Sequence, residues 1–130
     1  MTVLVVDDYK IIVERLTLLL EELEEVERVL SASSYAESVA LLESAVPDVA
    51  LLDIHLPDRS GIDLLGFIKA TYAHVKVIMI SNQVHPTYEA LCRERGADHV
   101  IDKSNDFEMI PTLITSFPGC SRSATKVLDI

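Results

Sequence analysis

The sequence predicts an α/β fold in which a doubly wound, five-stranded parallel sheet carries helices on both faces. Two features support this prediction. Short apolar runs rich in β-branched residues recur along the chain, as is typical of buried parallel strands. Segments with helical periodicity separate these runs, and strands that alternate with helices pair in parallel through right-handed crossovers.

The predicted strands differ in the strength of their signal. Residues 3–6, 49–52 and 75–80 are strongly apolar and are followed by polar residues, which indicates buried strands. Residues 26–30 and 99–101 form weaker runs. These weaker runs predict two further strands at or near the sheet edges.

The first two predicted helices have clear signals. The apolar stripe of the first helix has helical spacing and consists of Ile12, Leu16, Leu19, Leu20 and Leu23. Ser34 and Glu37 have the Ser-x-x-Glu spacing of a capping box, which predicts the start of the second helix. Pro47 prevents that helix from running further.

Glycine and proline bound the remaining helices. Gly61 precedes a third helix, and Pro86 and Gly96 mark the start and the end of a fourth. The apolar stripe of a fifth helix consists of Phe107, Ile110, Ile114 and Phe117. Because Pro111 lies inside this stripe, the helix either kinks at Pro111 or begins there, and the later start is favoured.

The length and composition of the chain indicate a single domain. With 130 residues, of which 49% are hydrophobic, the chain can bury a core of ordinary size. We predict that the domain spans residues 1–117. Pro118 and Gly119 break the last helix, so residues 118–130 are predicted to be a C-terminal tail or a linker stump.

Charge and cysteine content exclude several classes of function. The net charge of -10 opposes direct binding to nucleic acid or to anionic membranes, because both need basic patches. Cys92 and Cys120 have no metal-ligand spacing, and the first apolar run is too short for a signal peptide or a membrane span. We therefore expect a cytoplasmic domain.

Polar residues follow four of the predicted strands. Asp7 and Asp8 follow the first strand, Asp53 the third, Ser81 the fourth and Lys103 the fifth. Because parallel sheets bind ligands beyond the carboxyl ends of their strands, we expect these side chains at one edge. Each residue alone has an ordinary structural explanation, such as a helix cap or a solvated charge, so their joint placement carries the prediction.

This set of side chains fits phosphoryl transfer. Carboxylates at one edge repel one another unless a cation joins them, and Mg²⁺ is a hard ion that prefers oxygen ligands. Mg²⁺ also neutralises an incoming phosphoryl group, while the ammonium of Lys103 and the hydroxyl of Ser81 can contact its oxygens. The pattern predicts Asp53 as the nucleophile.

Over about residues 2–117 the sequence resembles the receiver domains of two-component response regulators, whose pattern is an acidic pair, a central aspartate, a serine or threonine, and a lysine. The resemblance implies that Asp7 and Asp8 are metal ligands, with Asp8 the more direct one. It implies that Asp53 is the phosphoacceptor and a further ligand, that Ser81 is the switch hydroxyl and that Lys103 completes the site. The implied sheet is flavodoxin/CheY-like, with strand order 2-1-3-4-5.

The loop after the third strand is the most specific local match to the family. It contains Pro57 and Gly61 at the positions of the family pattern. The resemblance implies that the backbone carbonyl of His55, but not its imidazole, is a metal ligand. It also implies that His55 and Gln83 tune the lifetime of the phosphoryl group by steering the attacking water.

Two positions depart from the family pattern. Receivers usually carry an aromatic residue, coupled to the switch hydroxyl, where this chain has Val100. His99 cannot replace it, because adjacent residues of a strand face opposite sides. Ser104 stands where proline commonly follows the lysine. Switching is therefore expected through the loops and the fourth helix. Separately, the segments 81–86 and 102–107 resemble those of receivers that occur without an output domain.

The resemblance implies a regulatory switch and not an enzyme, apart from catalysis of its own phosphorylation and dephosphorylation. The implied phosphoryl donor is a sensor histidine kinase or a phosphotransfer protein. A downstream protein is expected to bind the face formed by helix four, strand five and helix five. Monomer and dimer are both consistent with the sequence.

Other functions account for parts of the pattern. A phosphohydrolase with an aspartyl nucleophile also uses acidic strand ends and Mg²⁺, but it would need Asp-x-Asp after the first strand instead of the adjacent Asp7 and Asp8. A phosphorylation-independent interaction module would not need an intact site. A stand-alone protein and the amino-terminal part of a longer regulator both fit the sequence.

Overall fold

The computed structural model describes residues 1–82, 85–103 and 106–117. Strands and helices alternate along the chain. The elements are β1 (Thr2–Val6), α1 (Lys10–Glu21), β2 (Arg28–Ala32), α2 (Tyr35–Ser44), β3 (Val49–Asp53), α3 (Gly61–Thr71), β4 (Lys76–Ser81), α4 (Pro86–Glu94), β5 (His99–Asp102), a 3₁₀ turn (Phe107–Met109) and α5 (Ile110–Thr115).

The strands form one five-stranded sheet in the order β2-β1-β3-β4-β5, and every pairing in it is parallel. This architecture confirms the predicted fold class and strand order. The two weak apolar runs correspond to β2 and β5, which lie at the edges as predicted.

The start of β2 was predicted two residues too early, at Val26. The backbone N–H of Val26 donates to the carbonyl of Leu23, so Val26 belongs to the turn that follows α1. The strand begins at Arg28, which pairs with Thr2 of β1. An edge strand has a weak apolar pattern, and here the turn residue is as apolar as the strand itself.

The sheet has a hydrophobic layer on each face, because successive strand residues point to opposite sides. Val3 and Val5 of β1 pack in the layer that contains buried residues of α1 and α5. Leu4 and Val6 pack in the layer that contains buried residues of α2, α3 and α4. Helices therefore cover both faces, and the polar residues that end the strands are left at the carboxyl edge.

The helix ends follow the local signals of the sequence. Ser34 caps α2, with its Oγ accepting from the N–H of Glu37 at 3.1 Å, and the carboxylate of Glu37 accepts from Ser33 Oγ at 3.0 Å. Helix α4 begins at Pro86, and Gly96 follows its end with a φ of 104°, a conformation that favours glycine.

The fifth helix confirms the later of the two predicted starts. Phe107–Met109 form a 3₁₀ turn, and the α-helix begins at Ile110. Pro111 therefore lies in the first turn, where its missing N–H breaks no helical hydrogen bond.

Three of the sequence predictions fall on residues outside those that the structure describes. They concern the tail over residues 118–130, Gln83 and Ser104. The proposed domain boundary therefore stays a prediction. Among the described residues, no helix combines the length and the apolar character that a membrane span requires.

Candidate functional site

The carboxyl edge of the sheet brings the predicted acidic residues together. Asp7 and Asp8 follow β1, and Asp53 is the last residue of β3, the neighbouring strand. One carboxylate oxygen from each of these residues lies within 4.8 Å of the others. Asp7 and Asp53 are buried while Asp8 is exposed, so the cluster opens to solvent on the side of Asp8.

Lys103 points into the acidic cluster. Its Nζ atom lies 2.6 Å from Oδ2 of Asp7 and 3.4 Å from Oδ1 of Asp53. The backbone N–H of Lys103 donates to the carbonyl of Ser81 at 2.8 Å, which continues the pairing of β4 with β5 by one residue. The side chain is buried, at 8% exposure for the residue, so its charge acts on the two aspartates with little screening.

The environment of Asp53 disfavours its negative charge. Burial raises the pKa of the Asp53 carboxyl, and the negative charge of Asp7 raises it further. The ammonium of Lys103 and the backbone N–H of His55, which donates to Oδ1 at 3.3 Å, act in the opposite direction but do not outweigh these effects. The site therefore has more negative charge than its own lysine neutralises.

The donor set fits a divalent cation. Asp7 Oδ1 accepts from the N–H of Tyr9 at 2.8 Å. Among the described residues, Asp7 Oδ2 is buried without a hydrogen-bond partner, and it forms an ion pair with Lys103 Nζ at 2.6 Å. A buried carboxylate oxygen that lies beside two further carboxylates is suited to Mg²⁺, which prefers oxygen ligands.

The glycine predicted at the start of α3 has a steric role at the site. The N–H of Gly61 donates to the carbonyl of Ile54 at 2.7 Å. A Cβ atom at position 61 would collide with the backbone carbonyl oxygen of Asp53. Only glycine therefore lets the helix approach Asp53 this closely.

A cavity of about 470 Å³ lies beside the acidic cluster and is lined by His55, Ser81, Asn82, His85 and Tyr88. The ring of Tyr88 makes edge contacts with both imidazoles, at centroid distances of 6.2 Å for His55 and 6.3 Å for His85. Ser81 is buried at the end of β4.

The sequence interpretation missed His85 and Tyr88 as neighbours of the site. His85 gives a local signal only as the N-cap of α4, where its Nδ1 atom accepts from the N–H of Thr87. The approach of both residues to His55 depends on how α4 lies on the sheet, which no local pattern specifies.

The two faces of β5 separate His99 from Val100, as predicted. Val100 is half-buried in the layer that contains α3 and α4. The ring of His99 lies on the other side, 5.7 Å from the ring of Phe117. His99 therefore cannot take the place of an aromatic residue at position 100.

Comparison with known proteins identifies the family. The sequence matches the response regulator receiver domain over residues 3–115. No curated protein matched the sequence.

Solved structures agree with this match. The response regulator domain of Thermotoga maritima CheB has 27% sequence identity and a TM-score of 0.77, over 88% of this chain and 90% of that chain. The signal receiver domain of the putative response regulator NarL from Mycobacterium tuberculosis has 26% identity and a TM-score of 0.76, over 87% and 92%.

A third structure, the signal receiver domain of the DNA-binding response regulator protein merR from Colwellia psychrerythraea 34H, shares the fold. It has 24% identity and a TM-score of 0.82, over 88% of this chain and 95% of that chain. The family match spans the whole sheet and the acidic edge, and the chain belongs to the response regulator receiver domains, the regulatory domains of two-component signalling.

Proposed function

We propose that Asp53 accepts a phosphoryl group from the phosphohistidine of a sensor kinase or a phosphotransfer protein, in a reaction that depends on Mg²⁺. The observation that carries this proposal is the convergence of Asp7, Asp8 and Asp53 within 4.8 Å, with Lys103 Nζ 3.4 Å from Asp53 Oδ1. A nucleophile, a set of cation ligands and a fixed positive charge then share one edge of the sheet.

The residues that would hold the cation are Asp7, Asp8 and Asp53 through their carboxylates and His55 through its backbone carbonyl. When bound, the cation supplies charge neutralisation for the oxygens of the phosphoryl group. Asp8 is the exposed member of the set, which makes it the ligand that an entering hydrated ion meets first.

The chain's own residues perform the transfer. An oxygen of the ionised Asp53 carboxylate attacks phosphorus in line, and the P–N bond to the donor imidazole breaks. The imidazole leaves with the bonding electron pair and takes up a proton. Lys103 favours the ionised form of Asp53 and lies close enough to contact a phosphoryl oxygen, and the hydroxyl of Ser81 donates to another.

The reaction regulates a partner protein and does not process a metabolite. The added phosphoryl group brings negative charge and acceptor oxygens to the edge, which draws Ser81 and Lys103 toward Asp53. The affected surface is the face of α4, β5 and α5, where the cytoplasmic downstream partner would bind. Val100 stands where receivers usually have an aromatic residue that transmits phosphorylation to this face. The loop before α4 therefore carries more of the conformational change.

The direct test is intact-mass spectrometry after incubation with a small acyl phosphate and Mg²⁺. Wild-type protein should gain the mass of one phosphoryl group, and Asp53→Asn should gain none, because an amide is not a nucleophile toward phosphorus. Omitting Mg²⁺ should suppress the adduct. An unmodified wild type, or an equally modified Asp53→Asn variant, contradicts the proposal and favours a phosphorylation-independent interaction module.

The lifetime of the phosphoryl group should depend on His55 and Gln83. The exposed imidazole of His55 lines the cavity beside Asp53, through which water can reach an acyl phosphate. His55→Ala should change the rate of phosphoryl loss severalfold, measured as decay of the mass adduct after the donor is removed. His74→Ala is the control, because His74 precedes β4 at the opposite edge of the sheet. Unchanged decay in both His55→Ala and Gln83→Ala would count against this role.

A further inference from the structure

The loop that joins β3 to α3, residues 54–60, is tied to the start of α2 by Asp58. Asp58 Oδ1 accepts from the backbone N–H of Tyr35 at 2.9 Å, and Oδ2 accepts from that of Ala36 at 3.0 Å. These two residues begin α2, where backbone N–H groups lack partners within the helix. Both hydrogen bonds lower the pKa of Asp58, so its carboxylate is charged at neutral pH.

A second contact joins the same two segments. The guanidinium carbon of Arg59 lies 4.2 Å from the centre of the Tyr35 ring, in cation–π geometry. Two adjacent loop residues therefore bind the start of α2. Asp58 does so through charge-assisted hydrogen bonds, and Arg59 does so through the aromatic face of Tyr35.

The segment that receives these contacts also adjoins the acidic pair. The backbone N–H of Asp7 donates to the carbonyl of Ala32, the last residue of β2, at 3.1 Å. Residues 32–36 therefore contact the backbone of Asp7 on one side and Asp58 on the other. The proposed cation ligands that follow β1 and those that follow β3 are linked through this segment.

His55 lies within the tied loop. Its N–H donates to Asp53 Oδ1 at 3.3 Å, and it forms an isolated antiparallel bridge with Ser60. Only Leu56 and Pro57 lie between His55 and Asp58, so the position of the tether restricts the path of the backbone that carries the His55 carbonyl.

We propose that Asp58 is a positioning residue for the cation site, which fixes the backbone carbonyl of His55 relative to Asp7 and Asp8 by tying the β3–α3 loop to α2. This inference rests on the proposed function, because it assumes that the acidic cluster and the His55 carbonyl bind Mg²⁺. Asp58 itself is not a ligand in this arrangement and acts through the loop.

Asp58 also caps α2, and a matched variant can separate this capping role from the tethering of the loop. Ser34 is the N-cap of the same helix, and its Oγ accepts from the N–H of Glu37 at 3.1 Å. Ser34→Ala removes a cap of α2 without touching the loop, whereas Asp58→Ala removes the capping bonds and the tether together. Both variants should lower the stability of the fold.

The test is calorimetric titration of each variant of the 130-residue chain with Mg²⁺ alone, at a temperature where all are folded. Asp58→Ala should bind Mg²⁺ about tenfold more weakly than wild type, the lower end of the range for residues that orient metal ligands. Asp58→Asn, whose amide oxygen keeps one acceptor, should be intermediate. Ser34→Ala should bind as tightly as wild type.

Equal affinity in Asp58→Ala and wild type would overturn the inference and leave the proposed metal site standing. If Ser34→Ala lost as much Mg²⁺ affinity as Asp58→Ala, the inference would also be overturned, because the loss would then result from the weaker capping of α2 and not from the loop. No Mg²⁺ binding by wild type would overturn the metal site and this inference together.

Hydrogen exchange without Mg²⁺ supplies a readout that does not depend on the cation. In Asp58→Ala the amides of Tyr35 and Ala36 and those of loop residues 54–60 should all exchange faster than in wild type. In Ser34→Ala the faster exchange should be confined to the first turn of α2. Unchanged exchange of the loop in Asp58→Ala would contradict the tether.

Discussion

At the scale of single residues, Asp53 combines burial with a charge that its surroundings only partly neutralise. Lys103 contacts both Asp53 and Asp7, so one ammonium serves two buried carboxylates. The ionised form of such a carboxyl is less favourable in the folded protein than in the unfolded chain. The ionised form of Asp53 is therefore stabilised by added positive charge, which fits its proposed role as a cation-dependent phosphoacceptor.

This imbalance predicts the pH dependence of stability in the absence of divalent cations. Because the pKa of Asp53 is raised above 3.8 in the folded state, its contribution to stability is full below 3.8 and is lost as the pH rises through the folded pKa. Asp53→Asn should therefore be more stable than wild type at neutral pH, and the difference should shrink as the pH falls through the raised pKa.

Urea denaturation of both proteins in a chelating buffer, repeated across this pH range, measures the difference. A wild type that is more stable than Asp53→Asn at neutral pH would mean that the attraction of Lys103 outweighs burial and the repulsion from Asp7, contrary to this account.

At the scale of elements, α3 contains two glycines in opposite situations. Gly61, its first residue, faces the carbonyl of Asp53 and has no room for a side chain. Gly66 lies in the interior of the helix, and a Cβ atom there would meet nothing within 4 Å beyond its chain neighbours and the backbone of the helix itself. The first glycine is required by the site, while the second only weakens the helix.

Gly66→Ala should stabilise the domain by roughly 0.5–1 kcal/mol, because alanine loses less backbone entropy than glycine in a helix. The free energy of unfolding from urea denaturation checks this value. Gly61→Ala is the paired control and should destabilise the fold, because the start of α3 must move away from Asp53. Destabilisation by Gly66→Ala would show that the helix needs its flexibility at that position.

At the scale of the whole molecule, folding and the proposed cation site are linked, since the ligands converge only when β1 and β3 are paired. A cation that binds the folded state alone stabilises it by mass action. The net charge of -10 adds a general self-repulsion, which any salt reduces. The specific and the general effects can be separated by experiment.

Mg²⁺ at a concentration of about 100 times its dissociation constant should raise the stability of wild type by about 2.7 kcal/mol. Thermal unfolding at increasing Mg²⁺, compared with NaCl of equal ionic strength, measures the specific part. Asp8→Asn should lose most of this gain, whereas Glu43→Gln, which removes an exposed carboxylate on α2, should keep it. Equal stabilisation by NaCl and Mg²⁺ in wild type would indicate screening alone.

The sequence by itself determined the α/β class, the alternation of strands and helices, and the acidic set with Lys103. These depend on local patterns and on one general rule, that parallel strands have their carboxyl ends at one edge. Knowing which residues end the strands was therefore enough to predict that Asp7, Asp53 and Lys103 lie close together, although they are far apart in the chain.

Only the tertiary structure decided the finer arrangement of the site. The hydrogen bond from Tyr35 to Asp58 joins residues 23 positions apart, and the cavity with His55, His85 and Tyr88 joins a loop to α4. Neither follows from periodicity, because each depends on the angle at which a helix packs on the sheet and on the path of a loop. The side chains that pack against those helices determine both the packing angle and the loop path. These side chains come from several segments of the chain, so no single segment predicts their combined effect.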